Sequence, residues 1–164
     1  MPKKLSHTDS KGRAQMVDVS AKDSTRREAT ASGEIHMKPS TLKLITSGAI
    51  AKGDVMAAAR LAGIMAAKRT TEIIPLCHPI ALSSVKVELT PIKSRGLIRI
   101  KATAACTGQT GVEMEALVAV SAAALTIYDM CKAVDKEMRI TEIVLEEKKG
   151  GRSGHFVKGG SRKK

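Results

Sequence analysis

The stretch 106–136, CTGQTGVEMEALVAVSAAALTIYDMCKAVDK, constrains the fold most. A glycine-punctuated turn, TGQTG, opens about two dozen residues rich in Ala, Leu, Val and Met, with no proline or internal glycine, which predicts one long helix. Its faces are mostly apolar, so it belongs in a core. Charge sits only at its ends: Glu113 and Glu115 at the start, Asp129 and Lys132 at the finish. A buried helix keeps charges where they are paired or used, which makes these four the first functional candidates. Asp129 and Lys132 are three apart and share a face, placed to share a proton or to form an ordinary ion pair. Glu115 lies fourteen residues earlier, roughly 21 Å away at 1.5 Å per residue. One small substrate does not span that distance, so a site using both ends combines different subunits. The plainer alternative is that the acids at the start serve the helix dipole alone.

With 164 residues, 43% of them hydrophobic, the chain has material for one domain with a real core. Nothing in it resembles a secretory signal and its apolar runs are interrupted, so we expect a soluble, cytoplasmic protein with no membrane partner. Cys77, Cys106 and Cys131 form no CxxC pair and are expected as reduced thiols. Only Cys77-His78 joins two metal-ligand types, so no metal site is expected. The net charge of +12 is concentrated: 148–164 holds seven basic and no acidic residues, leaving 21 − 16 = +5 for the rest. The balance favours an anionic partner, either nucleic acid or a phosphorylated small molecule. One Tyr, one Phe and no Trp cannot build a base-stacking platform, which favours the small molecule.

Taken in order, 14–20 (AQMVDVS) predicts a short strand, with Asp18 facing solvent or a pocket. The stretch 27–37 alternates small or apolar residues with polar ones and predicts a half-exposed strand. Pro39 opens a short helix ending near Gly48. Asp54 caps an Ala-rich helix reaching Arg69, thin enough for close backbone approach. Lys52, just before it, is either an anion-binding residue beside free helix N–H groups or an exposed turn lysine. Pro75 and Pro79 hold Cys77 and His78 in a loop, and a loop residue so placed more often serves a ligand than a core. Strands at 84–90 and 97–105, the long helix at 112–134 and a strand at 139–147 follow. The order βαββαβ predicts an α+β, ferredoxin-like fold: an antiparallel sheet with helices on one face. One uncovered sheet face and Ala-rich helices predict an oligomer. We expect a single catalytic domain over 1–156 and a basic tail over 157–164. P-loop, GxSxG, HExxH and GxGxxG motifs are absent, leaving lysines, carboxylates and a placed histidine: acid–base chemistry around an anion.

The segments MVDVSAK (16–22), KGDV (52–55), AAKRT (66–70), IPLCHP (74–79), TGVEMEAL (110–117) and ALTIYDMCKAV (124–134) together resemble the cyclic pyranopterin monophosphate synthase family, MoaC type. The resemblance covers nearly the whole chain, from His7 to Phe156. It implies conversion of 3′,8-cyclo-7,8-dihydro-GTP to cyclic pyranopterin monophosphate with release of pyrophosphate, the second step of molybdenum-cofactor synthesis. It also implies a homohexamer, a trimer of dimers, with sites at subunit interfaces. By the family's motifs, Asp129, Lys132 and Lys52 would form the catalytic acid–base group. Leu76, Cys77, His78, Met114 and Glu115 would bind substrate, while Glu113, Asp18, Lys68 and Lys148 match pocket-lining positions. Lys148 and Arg152, in a glycine-rich segment, are expected to close over the phosphates. No cofactor is required by the sequence; Mg²⁺ is compatible with a leaving pyrophosphate. Gln109 and Arg152 depart from the family pattern, Gln109 standing for a basic residue and Arg152 for Lys. The rival class is a basic ferredoxin-like nucleic-acid-binding module, opposed by the missing sheet aromatics.

Overall fold

The computed structural model describes residues 11–152 and 154–159. Strand β1 (Thr25–His36) leads through helices α1 (Pro39–Thr46), α2 (Val55–Ala67) and a single turn, α3 (Thr70–Ile73), to strands β2 (Leu82–Ile92) and β3 (Leu97–Gly108). Helix α4 (Glu113–Cys131), strand β4 (Arg139–Lys149) and the short β5 (Phe156–Val157) complete the chain. The sheet runs β2-β3-β1-β4-β5, antiparallel throughout. The first four strands thus have the ferredoxin-like arrangement, consistent with the expected α+β class, and β5 is an addition at the edge. It pairs Phe156 with Lys148 and Val157 with Glu147, so the expected tail begins inside a strand; residues 160–164 lie outside the described residues, as do 1–10.

Alternation on β1 decides which face is the core. Ala29, Ala31 and Ile35 are buried toward α4, while Glu28, Ser32 and His36 on the other phase are partly exposed. On β3 the buried set is Ile98, Ile100, Ala102, Ala104 and Cys106. α4 packs over β1, β3 and β4, and α2 lies against α4 and β2. The small residues of α2 permit this: a Cβ at Gly63 would meet the Ala119 carbonyl oxygen at 2.8 Å. α4 is apolar and long enough, at 19 residues, to cross a bilayer by length and composition, but here its apolar positions Ala116, Ala119, Val120, Ala123 and Ile127 line the core. Asp54 Oδ1 accepts from the Ala57 N–H at 2.9 Å, the cap expected for α2.

Three local features differ from expectation. Residues 15–20 form no strand, and only an isolated bridge occurs at Ala14, because local hydrogen bonds from Ser20 to the Asp18 carboxylate and loop contacts replace ladder pairing. The second helix ends at Ala67, and a separate turn holds Thr70, whose hydroxyl donates to the Ala67 carbonyl at 2.9 Å. β2 extends through Pro91, tolerated because β2 is an edge strand with no ladder partner on its outer side.

Candidate active site

The two ends of α4 carry different chemistry. At its C-terminal end Asp129 sits between two lysines. Lys132 donates to Asp129 Oδ1 at 2.7 Å; Lys52, from the turn before α2, donates to Oδ2 at 3.2 Å and to the Asp129 carbonyl at 2.9 Å. Helix periodicity brings Lys132 there, and the antiparallel packing of α2 on α4 brings Lys52. All three side chains are about half exposed. The hydrogen bonds from Lys132 and then Lys52 hold the Asp129 carboxyl below its usual range, and Asp129 holds Lys132 protonated above the usual lysine value. At neutral pH the cluster is a carboxylate under two ammonium groups, with one positive charge to spare.

The N-terminal end of α4 closes a cavity of about 780 Å³. Its wall is formed by the turn Gln109–Gly111, by Glu113, by the end of β4 with Gly150–Arg152, and by the segment Val17–Asp23. Lys22, Arg27, Lys148, Lys149 and Arg152 outweigh Asp23, Glu28 and Glu113, so the cavity suits an anion. Lys148 Nζ meets Glu113 Oε1 at 2.8 Å across it. Gly150 and Gly151 have φ of 98° and 73°, which lets the chain turn under Arg27; a side chain at Gly151 would collide with the Arg27 guanidinium.

Arg27 was not among the residues singled out from sequence. It is 8% exposed, donates through Nε to the Gly108 carbonyl at 3.1 Å and through Nη2 toward the Gln109 carbonyl at 3.4 Å. A signal existed: Arg27 shares the core-facing phase of β1 with Ala29 and Ala31, and a cation in that phase demands a use.

His78 also reaches this cavity, and its Nε2 lies 2.6 Å from the Val17 carbonyl. Gln109 Nε2 donates to the Ser20 carbonyl at 3.2 Å, so His78 and Gln109 pin the 17–20 segment over the opening. Gln109 thus serves as a latch. Val17 and Val19 line the cavity, while Asp18 between them is exposed and accepts from the Ser20 N–H and hydroxyl, which lower its pKa. Glu115, in the first turn of α4, is 3% exposed; burial, reinforced by the charge of Glu113, pushes its pKa up. Cys77 is partly buried, its thiol pushed up first by burial and then by Glu115. Leu76 and Met114 are half-buried at the same end of the molecule, and Lys68 is exposed at the C-cap of α2. The structure therefore brings Glu113, Lys148, Arg152 and His78 together, and separately Lys52, Asp129 and Lys132. It does not bring the two groups together in one chain, since α4 lies between them. Among the described residues, no three His, Cys, Asp or Glu side chains converge as metal ligands would.

Comparison with known proteins bears on these two groups. Residues 16–151 match the MoaC family. A protein of Mycobacterium bovis named cyclic pyranopterin monophosphate synthase 1 is 61% identical over 157 residues, 96% of this chain and 92% of its own. Cyclic pyranopterin monophosphate synthases of Chloroflexus aggregans and Desulfitobacterium hafniense are 63% and 58% identical, over 93% and 94% of this chain and 92% and 94% of their own. With the match running from the segment over the cavity to the glycines beneath Arg27, this chain belongs to the MoaC family.

Proposed function

We propose that this chain converts 3′,8-cyclo-7,8-dihydro-GTP to cyclic pyranopterin monophosphate and pyrophosphate, with the acid–base steps carried by Lys52, Asp129 and Lys132. The observation that carries this reading is the lysine–aspartate–lysine cluster at the end of an otherwise buried helix. Rebuilding a purine-derived ring moves protons between nitrogen, carbon and ribose oxygen. Lys132, kept protonated by Asp129, is suited to give a proton to a developing anion. Lys52 supplies a second ammonium that holds the aspartate in place or meets the substrate's charge. At the other end, Lys148, Arg152 and Arg27 face a cavity with the charge to neutralise a triphosphate and the leaving pyrophosphate. Leu76, Cys77, His78, Met114, Glu115 and Glu113 would hold the pterin and ribose portions.

Both groups act on one substrate only if they come from different copies. From Glu113 to Asp129 the helix rises roughly 24 Å, at 1.5 Å per residue. The outer surface of the helix layer exposes Leu61 (58%), Ile73 (56%) and Leu125 (60%), an apolar patch that calls for cover. Ser121 is the midpoint between Glu113 and Asp129. Two copies crossing antiparallel near Ser121 would set one copy's Asp129 beside the other's Glu113 and complete two equivalent sites. A hexamer built from such dimers is the assembly we infer.

The test is single-turnover conversion of purified 3′,8-cyclo-7,8-dihydro-GTP, following pyrophosphate and pterin product. Wild type is expected to turn over, and Lys132→Ala to lose at least about 10²-fold in rate, the usual scale of a positioned proton donor. Full activity in Lys132→Ala would remove it from the chemistry; an assembled but inactive wild type would overturn the substrate assignment.

A further inference from the structure

In the turn between β3 and α4, Gln109 touches two parts of the anion cavity at once. Its backbone carbonyl accepts from Arg27 Nη2 at 3.4 Å, next to the Gly108 carbonyl, which accepts from Arg27 Nε at 3.1 Å. Its side chain reaches the other way and donates through Nε2 to the Ser20 carbonyl at 3.2 Å. A carbonyl only accepts, so the amide turns its NH₂ group to Ser20. Gln109 lies on the cavity wall without a charge of its own.

Ser20 belongs to a turn with no ladder to hold it. Residues 15–24 are in no strand, so regular pairing does not fix their height over the cavity. Within the segment the turn is closed locally. The Lys22 N–H donates to the Val19 carbonyl at 2.9 Å, and Asp18 Oδ1 accepts from the Ser20 N–H at 2.9 Å and from its hydroxyl at 2.6 Å. Such local bonds give a turn its shape but not its position. Position comes from side chains elsewhere in the fold, His78 at Val17 and Gln109 at Ser20. Gln109 grips the turn itself, two residues before Lys22, which is partly buried in the cavity wall. Among the described residues, no carboxylate pairs with the Lys22 ammonium.

We propose that Gln109 is a positioning residue for the proposed reaction: it sets the place of Lys22, and with it the fit of the cavity to the phosphates of the substrate. The proposal rests on the reading of this cavity as the anion site. Through its backbone Gln109 fixes Arg27, and through its side chain the turn that carries Lys22, so two cations from different parts of the chain take their spacing from one residue. Spacing matters because a phosphate chain is held by charges at set distances. A cation on an untethered turn loses binding energy to its own ordering. The position calls for a neutral donor. A carboxylate there would set oxygen against the Ser20 carbonyl and a negative charge beside the bound anion.

The experiment titrates inorganic pyrophosphate into the full chain by calorimetry, for wild type, Gln109→Met, Lys22→Ala and the double variant, with Tm recorded to confirm folding. Methionine keeps the length of glutamine and removes the hydrogen bond. Gln109→Met is expected to weaken pyrophosphate binding about fivefold, the scale of one net hydrogen bond, and Lys22→Ala at least about tenfold. In the Lys22→Ala background, Gln109→Met should change binding by less than about twofold, because a residue acting through Lys22 has nothing left to position. In turnover of 3′,8-cyclo-7,8-dihydro-GTP, Gln109→Met is expected to raise KM by the same factor while kcat stays within about twofold, a division that general damage to the fold would not produce. Pyrophosphate binding by Gln109→Met equal to wild type overturns the proposal. So does a fivefold loss that persists without Lys22, which would give Gln109 its own contact with the anion. A wild type that binds no pyrophosphate removes the anion cavity and this proposal with it. A wild type that binds pyrophosphate but leaves the substrate unchanged overturns the reaction alone, and the binding cycle still decides the role of Gln109.

Discussion

Glu115 shows most directly what burial does to a single ionisable residue. It is 3% exposed and its carboxyl is driven above its ordinary value of 4.5, first by burial. The folded state therefore holds this proton more tightly than the unfolded chain does. Its contribution is most favourable below about pH 4.5 and is lost as pH climbs through the raised value. Glu115→Gln keeps the shape without the charge, so its Tm is expected to match wild type near pH 4 and to exceed it at pH 8. If Glu115 binds substrate as proposed, the same variant loses turnover. A Tm that falls at pH 8 would show that the ionised carboxylate is stabilising and that burial is not the dominant influence. The charged residues on α4 were legible in the sequence because charge on an apolar helix is conspicuous. Arg27 was not, since one cation at the end of a strand is common and only the pairing across β3 shows that it is enclosed.

At the scale of elements, the close approach of α2 to α4 positions Lys52 over Asp129, and Gly63 makes that approach possible. Gly63→Ala would gain about 1 kcal/mol of helix propensity. Against this stands overpacking of about 1–3 kcal/mol. The obstacle 2.8 Å from the added Cβ is the Ala119 backbone carbonyl, which cannot rotate aside, and Val87 Cγ2 stands at 3.2 Å. We expect a net loss on the order of 1 kcal/mol, a fall in Tm of roughly 2–4 °C for a chain of this size, together with slower turnover as Lys52 is displaced. An unchanged or raised Tm would mean that the helices separate without cost. The alternation of β1 and the composition of α4 announce these elements in the sequence itself. The failure at 14–20 has a physical source: AQMVDVS has strand composition, but Asp18 bonds to Ser20 and the His78 ring takes the Val17 carbonyl, so local and loop contacts displace the ladder. β5 was hidden for the opposite reason, two residues among glycines whose pairing depends entirely on the edge that β4 offers.

For the whole molecule, the separation of the two charged groups is the fact any mechanism has to meet. The length of α4 was readable in the sequence, and with it the distance that the proposed composite site bridges with a second copy; the helix-layer face proposed for that copy was not, because apolar residues on both helices contribute to it. The composite site makes a quantitative prediction. Lys132→Ala would inactivate the cluster at one end of α4, and Lys148→Ala the anion cavity at the other. If each site takes one group from each of two copies, mixing the two inactive proteins creates hybrids with one site doubly damaged and one intact. Random reassociation of equal amounts makes half of the pairs hybrid, so about a quarter of all sites, and of wild-type activity, should return on mixing and co-refolding. If both groups served a site within one chain, every site would carry one lesion and mixing would return nothing. Retention of full activity by Lys148→Ala alone would instead separate the cavity from the reaction. Recovery near a quarter would make the helix-layer contact the one that builds the site.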